Sequence, residues 1–98
     1  MSSHALRWTR RAVRRLDQIG SYIAKDDPEA AARVVARIVS AVDNLASQPA
    51  MGRVGRIKGT REYVFADIPY IVAYRVRPDV VEIVTVLHGA QRWPLKLD

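Results

Sequence analysis

Few side chains in this sequence can do chemistry unaided, and arginine dominates them. His88 carries an imidazole, the group that exchanges a proton near neutral pH. Arg61 and Arg75 offer planar guanidinium forks that grip phosphate through paired hydrogen bonds. Tyr74, next to Arg75, can donate a further hydrogen bond. These types suit metal-free RNA cleavage, in which one group takes the 2′-hydroxyl proton, another protonates the leaving oxygen and cations steady the phosphorane. The catalytic candidates are therefore His88, Arg61 and Arg75. Tyr74 is a phosphate contact unless it packs inside a sheet, the role expected of Tyr63. Glu82 reads most simply as a solvent-facing strand carboxylate.

Other chemistries find less support. His4 and His88 lie at no spacing that makes a zinc site with a carboxylate, and no serine sits in a nucleophile elbow. No metal and no cofactor is expected. Residues 48–60 alternate Pro49, Gly52, Gly55 and Gly59 with Arg53, Arg56 and Lys58. Glycine lets a backbone approach a ligand closely, and the three bases can meet phosphates, so the stretch is either a phosphate-binding loop or a solvated connector. It is not a P-loop, because no Gly-Lys-Ser/Thr follows. Arg92 is a further phosphate candidate, and Trp93 either stacks on a base or partner or folds back onto the core.

Charge gives these candidates a direction. Sixteen Lys and Arg against ten Asp and Glu leave a net +6, and thirteen of the sixteen are Arg. That balance leans toward nucleic acid or another polyanion. Residues 1–25 carry six bases and one acid, residues 26–49 two and four, and residues 50–98 eight and five. The positive potential thus comes from both ends of the chain.

Ninety-eight residues make one domain, 1–98, too small to favour deep pockets. With no cysteine there is neither a disulfide framework nor a thiolate metal site. No run of 18 apolar residues occurs, and the first fifteen are too charged for a secretory signal. A cytoplasmic protein with no membrane partner is the expectation.

The elements that must position the candidates lie mostly in the second half. Runs 61–66, 70–77 and 80–88 are rich in Val, Ile, Tyr and Phe and are broken by Asp67-Ile68-Pro69 and Pro78-Asp79, so they read as an antiparallel meander. His88, Arg61 and Arg75 fall on three successive strands, which favours a convergent site. Upstream, residues 4–8 alternate weakly and suggest a short first strand whose neighbour the sequence does not reveal. Thr9 can cap a helix with Val13, Leu16, Ile19 and Ile23 on one stripe and Arg10, Arg11, Arg14 and Arg15 opposite. Gly20 within it suggests a close packing contact. Asp27-Pro28-Glu29 starts a second helix running to about residue 47, with Ala31, Val34, Val35, Ile38, Val42 and Leu45 on one face. The expected fold is α+β: an N-terminal strand and a two-helix hairpin packed on a small, mainly antiparallel sheet of about four strands.

Trp8-Thr9 closing the first strand, the basic helix pair, Gly59-Thr-Arg-Glu-Tyr, Pro69-Tyr-Ile-Val-Ala-Tyr-Arg-Val and Val81-Glu-Ile-Val-Thr-Val-Leu-His-Gly-Ala together resemble the RelE/ParE superfamily of bacterial toxins. The resemblance runs from Leu6 to Pro94. It implies the toxin of a type II toxin–antitoxin module, neutralised by a cognate antitoxin whose segment wraps it in a hetero-oligomeric complex. RelE-like members cut mRNA on the ribosome with sheet-borne bases and an aromatic or histidine near the C-terminus. That pattern carries over to Arg61, Arg75 and His88, and an mRNA endonuclease is the first expectation. The alternative is a ParE-like DNA gyrase inhibitor, which cuts nothing. Three lysines only, Trp-Pro in place of a terminal Tyr, and two long helices depart from the RelE-like pattern.

Overall fold

The computed structural model describes residues 4–93. A short strand β1 (Ala5–Trp8) leads into α1 (Arg10–Ala24) and α2 (Pro28–Leu45). After a 3₁₀ turn at Pro49–Met51 come β2 (Arg53–Val54), β3 (Arg61–Val64), β4 (Tyr70–Val76) and β5 (Val80–His88). The strands form one sheet in the order β1-β5-β4-β3-β2. The meander β3-β4-β5 is antiparallel as expected, and the unread partner of β1 is β5, to which it runs parallel. The sheet has five strands rather than four, the fifth being two residues inside the glycine-rich connector.

Both helices start where their caps dictate. Thr9 accepts the N–H of Ala12 while its hydroxyl donates to Ile83 O at 2.8 Å, so one side chain caps α1 and ties it to the end of β1's pairing with β5. Asp27 accepts the N–H of Ala30, and Pro28 opens α2. The helix ends at Leu45, two residues short of the expected limit. A Cβ on Gly20 would stand 3.2 Å from Val35 Cγ2, the close α1–α2 approach its position suggested.

The helical hairpin covers one sheet face. Ala12 and Ile19 of α1 and Ile38, Val42 and Leu45 of α2 pack with Tyr70, Val72, Tyr74, Val81, Ile83 and Val86 in one buried core. On the face away from the helices, called the open face below, Ile57 of the connector packs over Ala73 and Val84, and Ile71, Thr85 and Leu87 are buried as well. Arg37 of α2 donates to Asp67 at 3.0 Å and lies over the Phe65 ring, bracing the β3–β4 turn. That hydrogen bond raises the Arg37 pKa and lowers that of Asp67.

One irregularity decides where the candidate residues point. Between Ala73 and Tyr74 the register of β4 against β5 shifts, so Tyr74 pairs with Ile83 and Ala73 with Thr85, and Val84 is the extra residue of a bulge. Strict alternation would put residues 82, 84, 86 and 88 on one face. The bulge instead turns Val86 and His88 toward the helices and leaves Glu82 on the open side.

Candidate functional site

Arg61, Arg75 and His88 do not converge. Arg75 pairs with Glu82 on the open face near one end of β4, while His88 pairs with Tyr70 at the other end on the helix side. Five residues of strand separate the two rows, roughly 17 Å at the usual rise. Arg61 pairs with Tyr74 on β3, two strands from β5 and four residues from the His88 row. The expectation of a convergent centre is thus corrected, and the cause is register. The strands are the expected ones, but the tails of their sequence runs lie at opposite ends of an antiparallel pair.

Several candidates are bonded to the protein itself. Tyr74 is fully buried, and its hydroxyl accepts the Gly52 N–H at 2.8 Å and donates to Pro49 O at 2.8 Å. As a phosphate contact it is corrected: the side chain never reaches the surface. Burial pushes its pKa up, only partly offset by the bond from Gly52 and the nearby Arg61. Arg61 donates to Gly52 O at 3.0 Å and Ala50 O at 3.2 Å, pinning the same segment from outside. His88 accepts the Ala90 N–H on Nδ1 at 3.1 Å and meets the Tyr70 ring edge-on at 5.3 Å between centroids.

The connector bases meet a carboxylate that sequence reasoning did not single out. Glu62 is 1% exposed, on the open face of β3. Its Oε1 accepts from Arg53 Nη2 at 2.9 Å, and its Oε2 accepts the Arg56 N–H at 2.8 Å and Nε at 3.1 Å. Burial alone would raise its pKa, but the backbone and guanidinium bonds of Arg56, with those of Arg53, outweigh it and hold Glu62 below the ordinary carboxylate range. Arg53 and Arg56 therefore order the connector, whereas Lys58 is exposed. Glu82, expected in solvent, is instead buried and ion-paired to Arg7 and Arg77. In register it stands between Arg7 and Arg75, so the flanking strands supply the cations that allow its burial.

Two clefts remain. The first, of about 450 Å³, lies between α1 and the Tyr70–His88 pair and is lined also by Arg15, Ile19 and Tyr22. The second, of about 420 Å³, lies between α1 and the segment after β5 and is lined by Arg11, Arg15, Thr85, Leu87, Arg92 and Trp93, with Gln91 at its side. Arg15 divides them, donating to Val86 O at 3.1 Å and Gln91 Oε1 at 3.0 Å. Trp93 joins neither core cluster; it is partly buried at the cleft, with the Arg56 guanidinium 3.6 Å from its ring centroid. Arg11 and Arg15 were placed only on the solvent side of their helix. Their clustering with Arg92 depends on α1 packing along β5, which no local pattern encodes. Among the described residues no group of three or more His, Cys, Asp or Glu could hold a metal ion. No described helix is long and apolar enough to cross a membrane.

The profile of the family described as the ParE toxin of the type II toxin–antitoxin system parDE matches residues 6–93. The chain belongs to that family. It is a toxin of a type II toxin–antitoxin system, and the superfamily resemblance and α+β fold hold. The chain is 67% identical over 94 residues to the protein Y4kP of Sinorhizobium fredii, covering 96% of this chain and 97% of that one. It is 38% identical over 84 residues to toxin RelE2 of Caulobacter vibrioides, covering 86% and 93%. Among solved structures, a chain of the chromosomal ParDE system of P. aeruginosa superposes with a TM-score of 0.78 at 28% identity, over 88% of this chain and 96% of that one. A cognate antitoxin is accordingly the partner of this ParE-family toxin.

Proposed function

We propose that this ParE-family toxin arrests growth by binding DNA gyrase, and that it cleaves no phosphodiester itself. The separation of His88 from Arg61 and Arg75 carries this reading. An acid–base nuclease needs a proton-transfer group within hydrogen-bond reach of the phosphate its cations hold. Here the imidazole and the two guanidiniums stand at opposite ends of the sheet. What the surface offers instead is a binding inventory. Tyr22 is 72% exposed beside the Tyr70–His88 cleft, and Met51, Val54 and Val64 are exposed along the β2–β3 edge. Aromatic and arginine side chains around shallow clefts are typical anchors of protein interfaces.

The antitoxin fits the same inventory. Positive charge from both chain ends suits an acidic segment that orders as it binds. A supercoiling assay with purified gyrase tests the proposal. Inhibition with trapped cleavage complexes is expected, and unchanged supercoiling with no trapped complex sinks it.

A second reading, ribosome-dependent mRNA cleavage, is favoured by the RelE2 name of the 38% identical relative. Primer extension on translated transcripts then shows new 5′ ends after induction. Intact transcripts beside arrested cells remove it.

A further inference from the structure

We propose that the cognate antitoxin adds an extended segment to the edge of β5 beyond β1, its side chains entering the two clefts beside Arg15 in alternation. This holds whichever target the toxin has. β1 pairs with β5 only from Val80 to Ile83, whereas β5 runs on to His88. Beyond Ile83, among the described residues, no strand pairs with that side of β5. Side chains take the ladder positions instead. Thr9 Oγ1 donates to Ile83 O and to Val84 O. Arg15 Nε donates to Val86 O at 3.1 Å, and Gln91 Oε1 accepts the His88 N–H at 3.2 Å and Arg15 Nη2 at 3.0 Å. A donor for residue i and an acceptor for residue i+2 are what one residue of a parallel strand supplies, and β1 already runs parallel to β5. Arg15 and Gln91 thus hold the place of a strand residue, through bonds at the long end of the usual range. They also blunt the edge against indiscriminate pairing. The Val86 N–H shares the side of its carbonyl, so the edge offers an incoming chain a donor as well.

The clefts match the alternation of such a strand. A residue bonded to Val86 O and the His88 N–H stands beside Leu87, which with Thr85 and Trp93 lines the cleft of about 420 Å³. Its neighbours in the segment stand beside Val86 and His88 and point to the helix side. There Ile19, Tyr22, Tyr70 and His88 line the cleft of about 450 Å³, and each volume admits one large side chain. α1 walls the slot with Arg15, Gln18, Ile19 and Tyr22, three and four residues apart.

Shape and charge choose the occupant. A slot between a helix and the segment after β5 admits one extended chain, not the surface of a folded gyrase domain. A segment that orders as it binds has that form, and strand addition gives it main-chain hydrogen bonds. The described partners of Arg15 are both uncharged oxygens, so a carboxylate gains a charge-assisted bond when the guanidinium leaves Val86 O. The toxin's net charge of +6 favours the same acidic chain. The segment is therefore extended and acidic, with a large apolar residue for the cleft of Tyr22, Tyr70 and His88.

Amide hydrogen exchange of the full-length toxin, free and bound to its cognate antitoxin, tests this. The Val86 and His88 amides are expected to slow at least about tenfold in the complex, as groups newly held in a ladder do. The Val54 amide, at the opposite edge of the sheet, is expected to keep its free rate. Isothermal titration then reads the side chain. Arg15→Gln is expected to weaken antitoxin binding at least about tenfold, the loss of one charge-assisted bond. Arg14→Gln, exposed one position away on α1, is expected to bind like the parent. Thermal melting of both variants separates lost binding from lost folding. Unchanged exchange at Val86 and His88, or protection at Val54 in their place, overturns the proposal, as does parental affinity in Arg15→Gln. Gyrase enters neither measurement, so failure here and failure of the supercoiling test are told apart.

Discussion

The Gly52 N–H donates to the Tyr74 hydroxyl at 2.8 Å, and a Cβ built on Gly52 would stand 2.5 Å from that same oxygen. Glycine is thus required here by the close approach of backbone to a buried ring. The hydroxyl also donates to Pro49 O, so one side chain holds the 3₁₀ turn onto the sheet and sets the start of β2. Tyr74→Phe removes that acceptor and donor together and leaves a buried N–H unpaired, at a cost of about 1–3 kcal/mol. Gly52→Ala is expected to cost more, because the new methyl also meets Glu62 O at 2.7 Å and that backbone cannot yield cheaply. Urea unfolding of the two variants checks the order, and Gly52→Ala at or above the stability of Tyr74→Phe contradicts it.

Glu62 predicts how stability responds to acid. Its folded pKa lies below the ordinary value because the Arg56 and Arg53 hydrogen bonds outweigh the effect of burial. A lowered carboxylate pKa means the unfolded chain binds the proton first as pH falls. The stabilisation is therefore whole above the unfolded pKa and is lost as pH drops through the lower folded one. Glu62→Gln keeps the shape, loses the charge and should flatten this acid limb of the stability–pH curve. At neutral pH the same change should cost about 1–2 kcal/mol, because charge-assisted hydrogen bonds are lost while both guanidiniums, about half exposed, remain solvated. Melting curves from neutral to acidic pH decide it: an unchanged acid limb in the variant removes Glu62 as its source.

His88→Ala separates the two functional readings. The side chain caps the Ala90 N–H and packs on Tyr70, so its loss should cost about 1 kcal/mol in stability. On the gyrase reading, growth arrest in the variant tracks supercoiling inhibition, whatever part the cleft that His88 lines takes in binding. Loss of arrest with retained folding and retained gyrase inhibition would move the assignment to the nuclease.

What the sequence disclosed and what it hid differ by range. Thr9, Asp27 and Pro28 act within four residues of themselves, and the helices start where those residues say. The three strands of the meander, β3, β4 and β5, announce themselves by composition. The parallel pairing of Ala5 with Val80 joins residues far apart in the chain, and no local pattern encodes it. β2 is two residues flanked by glycines, too short to alternate. The site failed for a sharper reason. Arg75 and His88 were legible near the ends of successive strands, but such ends of antiparallel neighbours lie at opposite edges of the pair. The face of His88 depends as well on one extra residue, Val84, opposite the Ala73–Tyr74 step. A single-residue slip exchanges the two faces of a strand. Burial of Glu62 and Glu82 was hidden likewise, because the arginines that satisfy them come from neighbouring strands and the connector.

Tyr22 tests where a protein partner sits. At 72% exposure its ring stands on the rim of the cleft formed with Arg15, Ile19, Tyr70 and His88. Its removal should leave folding within about 0.5 kcal/mol of the parent, as for surface substitutions generally. An exposed tyrosine at a cleft mouth has a different weight in binding, where such anchors are worth about 2 kcal/mol or more, roughly thirtyfold in affinity. Tyr22→Ala is therefore expected to keep its melting temperature while the toxin concentration giving half-maximal supercoiling inhibition rises at least tenfold. Isothermal titration of the same variant with the cognate antitoxin shows whether both partners use this rim. If inhibition is unchanged, the gyrase contact lies elsewhere on the surface, and the exposed apolar edge of Met51, Val54 and Val64 becomes the place to substitute.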